Sequence, residues 1–276
     1  MITTMLQGGL GNQMFQYAMG YATARRLGVE LQLDLSRLGG NPHRIFNLDL
    51  FQLNGEKIVY GSTPTVGEKS FAYDPTLTAK GTITDGDVLC GYWQCEDYFI
   101  EYAPEIFRAF RMKHSLPQLF TPHAISQIEK AGAASTFLGI RRGDYIAKQN
   151  YHGVLPVDYY REALGYIAGT TAITPEVFVF SDDPEWCKTE LYLQYPFEVL
   201  GSFEPTVGNL MGREDVDMYL MSLCRHAVIA NSSFHWWGAW LGDFGIKTRR
   251  IVAPLQWFTE KSVDSSTVIP KRWIRL

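Results

Sequence analysis

Short apolar runs alternate with longer amphipathic stretches along the whole chain, the pattern of strands buried in parallel sheets and joined by helices. Ile2 to Leu6 predicts a first strand. The glycine-rich turn Gly8-Gly9-Leu10-Gly11 leads to Asn12, the expected helix N-cap, and to a helix with Phe15, Ala18, Met19 and Ala22 on one face. Gly28 stands where a helix C-terminus favours glycine, and Val29 to Asp34 alternates as a second strand. The chain therefore opens as a strand, helix, strand unit.

Residues 39 to 90 are less regular, with short apolar runs only around Ile45 to Leu53 and Val88 to Tyr92, and are read mainly as loops. Tyr98 to Phe110 and Ser126 to Lys130 predict helices, and Leu116 to Pro122 has the proline content of a domain link. A second alternating series follows. It has strands at Thr136 to Ile140, Val177 to Phe180, Ala227 to Ala230 and Ile251 to Ala253, and helices from Pro156 (expected at N1) to Ile167, from Pro184, from Asp215 to Leu223 and from Phe234 to Leu241. The fold class expected is α/β with two domains, residues 1–120 and 121–276.

Composition narrows the function. Of 276 residues, 25 are Lys or Arg and 29 Asp or Glu, for a net charge of -4, which argues against a nucleic-acid binder while leaving room for one small phosphorylated ligand. The N-terminus lacks a basic and apolar leader and no stretch is apolar enough to span a bilayer, so a cytoplasmic protein is expected. Cys90, Cys95, Cys187 and Cys224 form no CxxC pair and are read as reduced thiols.

Chemistry concentrates where strands end. Gly9 and Gly11 have the spacing of a dinucleotide turn and Asp34 closes the next strand, but Met14 stands where close packing on a pyrophosphate wants a small residue. What remains is a turn able to approach a ligand, with the amides of Asn12 and Gln13 suited to hydroxyls. Arg141 and Arg142 sit at the carboxyl end of a buried strand, where α/β folds bind ligands and where guanidinium forks match phosphate oxygens. Alternation along the strand turns one toward a ligand and the other toward an acidic anchor. Asp182 and Asp183 follow another strand, placed either to accept from a guanine edge or to cap the helix at Pro184. Asp215-Val216-Asp217 is a DxD, a pattern that holds metal in some nucleotide-sugar enzymes; at the head of an amphipathic helix its acids are read as partners of the helix dipole, and no metal ligands are assigned. Last comes Asn231-Ser232-Ser233-Phe234-His235-Trp236, a strand end feeding a helix N-terminus whose N–H groups suit phosphate.

Four strings, GGLGNQMFQYA, RRGDY, FSDD and LMSLCRHAVIANSSFHWWGAWL, resemble in order those of the bacterial and animal α-1,2-fucosyltransferases, glycosyltransferase family 11. The resemblance implies a GT-B-like arrangement of two Rossmann-type domains facing a cleft, the first on the acceptor side and the second binding GDP-fucose. It implies an inverting, metal-independent transfer of L-fucose from GDP-β-L-fucose to the 2-hydroxyl of a galactose, with no cofactor. Carried over, Arg141 contacts the β-phosphate, Asp182 or Asp183 lies near guanosine, and Asn231, Ser232, Ser233 and Phe234 line the phosphate pocket. Asn12 and Gln13 lie across the cleft toward fucose or acceptor, His235 and Trp236 are acceptor-side candidates, and Asp144 is a base or an orienting partner of an Arg. A galactose-terminated oligosaccharide or lipid-linked glycan is the implied acceptor, the latter bringing peripheral contact with a membrane. Two positions depart from the family pattern: Gly139 stands where a His is usual, and His235 where a Ser is usual.

Two other readings use parts of the same sequence. An NAD-dependent oxidoreductase or nucleotide-sugar epimerase would use the opening turn and Asp34, and a non-catalytic carbohydrate-binding protein would use the aromatics.

Overall fold

The computed structural model describes residues 1–39, 45–113, 122–200, 214–244 and 248–276. The chain divides into two compact α/β units, Met1–Lys113 with Ser262–Pro270, and His114–Lys261 with Lys271–Leu276. The segment Ser262–Pro270 thus groups with the first unit, although the sequence reading assigned it to the second.

In the first unit five parallel strands, β1 (Ile2–Met5), β2 (Leu31–Asp34), β3 (Lys57–Val59), β4 (Val66–Gly67) and β5 (Val88–Cys90), lie in the order β3-β2-β1-β5-β4. The helix Leu10–Leu27 buries Met14, Phe15, Ala18, Met19 and Ala22. It packs closely enough that a Cβ on Gly20 would lie 2.9 Å from Leu31. Gly28, at φ 68°, closes the helix in the left-handed conformation its sequence position predicted. The N-cap is Gly9 rather than Asn12, because Asn12 and Gln13 already donate their N–H groups to the Gly9 carbonyl at 3.0 and 3.1 Å.

The second unit holds β6 (Ser135–Ile140), β7 (Glu176–Ser181), β8 (Phe197–Val199), β9 (His226–Val228), β10 (Ile251–Ala253) and β11 (Ile274–Arg275) in the parallel order β11-β10-β9-β6-β7-β8. Leu138, Ile140, Val177 and Val179 join Tyr159, Tyr160 and Leu164 of the helix Val157–Thr171 in one apolar core. Pro156 is that helix's N-cap rather than its first residue. The helix expected at Tyr98 to Phe110 forms only over Ala103–Ala109, after two 3-10 turns, and the expected link at 116–122 lies almost wholly outside the described residues. All four cysteines are free thiols. Among the described residues no helix is long and apolar enough to cross a membrane.

Candidate active site

Strand order decides where the second unit binds a ligand. Its first strand, β6, lies between β7 and β9, so the connections leave in opposite directions on its two sides, and the crevice at the carboxyl ends is the switch point where α/β sheets take ligands. Three strand ends, those of β9, β6 and β7, bring the candidates of the second unit into one row. The hydroxyl of Tyr145, in the short helix Gly143–Ala147 after β6, donates to the carbonyl of Asn231 after β9 at 2.9 Å and ties the two strand ends together.

Just past the end of β6 the two arginines turn to different partners, and both, not one alone, are anchored by acids. Arg142 turns toward Trp186, its guanidinium 3.8 Å from the ring centre, and reaches Asp183 at 3.2 Å. Asp183 also accepts from the N–H of Trp186 and caps the helix Pro184–Thr189. Asp182 accepts the Arg142 backbone N–H at 2.9 Å and faces Nε of Arg141 at 3.2 Å. Arg141 is about one third exposed, pairs with Asp144 at 2.8 Å and lies 5.4 Å from the ring centre of Tyr145, which stacks on His152 at 4.3 Å. Burial alone would raise the Asp144 carboxyl, but Arg141, acting as a charge and as a hydrogen-bond donor, outweighs it together with Lys148 and His152 and holds the group below the usual carboxylate range. That favours an ion-pair partner over a proton acceptor.

On the facing strand end, Ser232 is the N-cap of the helix Ser233–Asp243 but makes no side-chain cap bond. Positive dipole and uncapped N–H groups are therefore presented at the same edge as Arg141. Asn231 spends its amide nitrogen on the carbonyls of His152, Gly153 and Trp257, which makes it a brace for the loop. Ser233 and Phe234 are half-buried at the helix start. Trp236 is fully buried against Trp237, Trp240 and Trp273, so this acceptor-side candidate is core packing and offers no face to a sugar.

His235 sits against Gly139. A Cβ built on Gly139 would lie 2.5 to 2.8 Å from Cγ, Nδ1 and Cδ2 of the imidazole. The two departures from the family pattern are thus a single contact, with the ring on the helix occupying the room that the missing side chain on the strand leaves.

The first unit has its own switch point between β1 and β5. There the side-chain amide of Gln94 donates to Oδ1 of Asn12 at 2.9 Å. Gln13 is fully buried, donating to the carbonyls of Gly8 and Ile45 and accepting from the N–H of Asn47, so its amide organises the loop. Gln94 follows Trp93, held at φ 55° while Glu68 accepts from the N–H groups of Tyr92 and Trp93 at 2.7 and 2.9 Å. A bulky residue in the left-handed region marks a built feature. Sequence reasoning passed over it and over His152 and Trp186, since none stands in a motif. Asp34, the acid the dinucleotide reading needs, binds the N–H and hydroxyl of Ser36 with one oxygen and the N–H of Ser62 with the other. It is completely buried and spoken for, which removes the ribose contact of that reading.

Residues 83–275 match the sequence pattern of Glycosyl transferase family 11. The chain belongs to this family. It is a glycosyltransferase. Similar proteins include an α-1,2-colitosyltransferase of Escherichia coli, 30% identical over 100% of this chain and 98% of its own length. Another is the mouse (Mus musculus) galactoside 2-α-L-fucosyltransferase Sec1, 24% identical over 87% of this chain and 64% of that protein. Among solved structures, the NodZ α-1,6-fucosyltransferase soaked with GDP-fucose has a TM-score of 0.51 and 16% identity, covering 87% of this chain and 92% of the other. At that identity the likeness concerns the fold, and it gives the family 11 chain the GT-B class of two Rossmann-type units.

Proposed function

We propose that the protein transfers L-fucose from GDP-β-L-fucose to the 2-hydroxyl of a terminal galactose in a glycan, with inversion, without a metal and without a cofactor. One observation carries the reading: Arg141 and the uncapped helix N-terminus at Ser233 come from adjacent strands at the switch point of one sheet, a double anion site of the kind a diphosphate leaving group needs. The galactoside 2-α-L-fucosyltransferase relative supports the linkage and the acceptor class.

In the reaction the acceptor oxygen attacks C1 of fucose from the face opposite GDP and forms the new C–O bond. The bond from C1 to the β-phosphate oxygen breaks, and its electron pair goes to GDP. Negative charge grows on the diphosphate, where Arg141 and the helix N–H groups stabilise it. Asp144 and Asp182 hold the guanidinium in place. The hydroxyl proton leaves late, and water accepts it.

The colitosyltransferase relative favours a second donor, with colitose in place of fucose. Calorimetric titration with GDP, GDP-fucose and NAD, followed by transfer assays to galactosides with fucosyl and colitosyl donors, separates the readings. The fucosyltransferase reading expects GDP binding that collapses in Arg141→Ala, turnover with GDP-fucose, and a rate unchanged by EDTA. Binding of NAD without GDP, or turnover abolished by EDTA, would contradict it.

A further inference from the structure

Gly139 has no backbone need to be glycine: it lies inside β6, and its φ is outside the left-handed region. Glycine within a strand weakens it and marks a place where another group comes close. Here that group is the ring of His235, lying 2.5 to 2.8 Å from where a Cβ would be. Arg141 is the first residue past β6, two positions after Gly139, so extended alternation turns both to the same side and the imidazole lies on the strand face just before the diphosphate arginine. It reaches that place from the first turn of the helix whose N-terminus forms the other half of the anion site.

His235 is 4% exposed, and its Nδ1 is sealed from solvent with no hydrogen-bond partner among the described residues. Packing alone would be met better by a hydrocarbon ring, since a buried polar atom without a partner is destabilising. Burial, reinforced by the nearby Arg141 charge, pushes the imidazole down to about 3 and keeps it neutral at any ordinary pH. A neutral ring can stand beside the guanidinium without competing for the phosphate.

We propose that Gly139 and His235 form one unit in which His235 is a positioning residue for the donor site, the polar imidazole wedged between β6 and the helix start setting how Arg141 meets the diphosphate. The proposal rests on the donor site assigned above. Other glycines of the unit show the same steric exclusion; among the described glycines, Gly139 is the one whose missing side chain is filled from the first turn of the helix Ser233–Asp243.

The test is GDP titration of the parent, His235→Phe, His235→Ser and the exchanged Gly139→His/His235→Ser protein, with thermal midpoints as a check on folding. His235→Phe keeps a ring and loses the nitrogens, so its GDP affinity should fall about tenfold while its midpoint stays near the parent's. His235→Ser should lose a similar factor, and the exchange, which returns an imidazole to the same place from the strand, should recover most of it. The KM for the donor should follow these affinities, with kcat changing less. Parent-like GDP binding in His235→Phe, or an exchanged protein no better than His235→Ser, would overturn the proposal. A parent that binds no GDP would instead overturn the donor site itself, a result the first titration separates from the others.

Discussion

Asp144 stands 2.8 Å from Nη2 of Arg141, with Lys148 3.6 Å away on its other oxygen. A carboxylate so placed is a poor proton acceptor and a good clamp, because two cations stabilise its charged form. Asp144→Asn should therefore weaken GDP binding and lower turnover by about tenfold, short of the hundredfold or greater loss that removal of a general base brings. Steady-state kinetics across pH check this. A larger fall in kcat together with loss of the acidic limb of the profile would make Asp144 the base.

Gly143 opens the short helix Gly143–Ala147, and a Cβ there would meet Oδ2 of Asp182 at 2.6 Å. The carboxylate would have to swing away, giving up Arg141 and the Arg142 N–H together. Gly143→Ala should thus lower GDP affinity by about tenfold, with a loss of stability of about 1 kcal/mol. Calorimetry and denaturant unfolding of the same preparation measure both. Unchanged affinity would show that Asp182 is not needed to seat Arg141.

Much of this was legible in the sequence because strands buried on both faces leave continuous apolar runs. Phe137 to Ile140 and Val177 to Phe180 are such runs, and the motifs follow directly at their ends. The edges were not legible. Lys57-Ile58-Val59 is a largely exposed outer strand, and Val66–Gly67 and Ile274–Arg275 are two residues each, too short for any periodicity. Gln94 carries no motif, and its partnership with Asn12 exists only after β5 is set beside β1. The same holds for Gly139 and His235, which the sequence marks as two unrelated departures and folding turns into one contact.

Asp34 looks like a ligand residue in the sequence and is a structural one in the fold. Burial would raise its carboxyl, but hydrogen bonds from Ser36 and Ser62 prevail and keep it below the usual range. Asp34→Ala would take a buried acceptor away from the N–H groups of Ser36, which is exposed, and Ser62, which is half-buried, a loss of about 1 to 2 kcal/mol. Denaturant unfolding should show that loss, while calorimetry should give unchanged GDP affinity in whatever fraction stays folded. A stable variant that had lost ligand binding would reinstate Asp34 as a ligand residue.

Acid should destabilise the second unit through two histidines. Burial is the main reason that His226 is lowered to about 4; the Ala133 carbonyl opposes the shift, and Arg225, Arg249 and Arg250 add to it. Nδ1 of His226 also accepts from the N–H of Arg250 at 3.0 Å, which only an unprotonated nitrogen can do. His235 is lowered further, to about 3. For each, the folded value lies below the unfolded 6.5, so the unfolded chain binds the extra proton, and stability present above that value is lost as pH falls from 6.5 toward 4. Between pH 7 and pH 5 each should contribute a loss of about 2 kcal/mol. Asp217 of the same unit, raised to about 7 chiefly by burial, acts in the opposite sense, so the check is a difference: over that interval the thermal midpoint of the parent should fall relative to that of His226→Gln, which lacks one of the two histidine titrations. An equal change in both proteins would mean that His226 takes up its proton while still folded, and would break the link between the Arg250 hydrogen bond and a neutral ring.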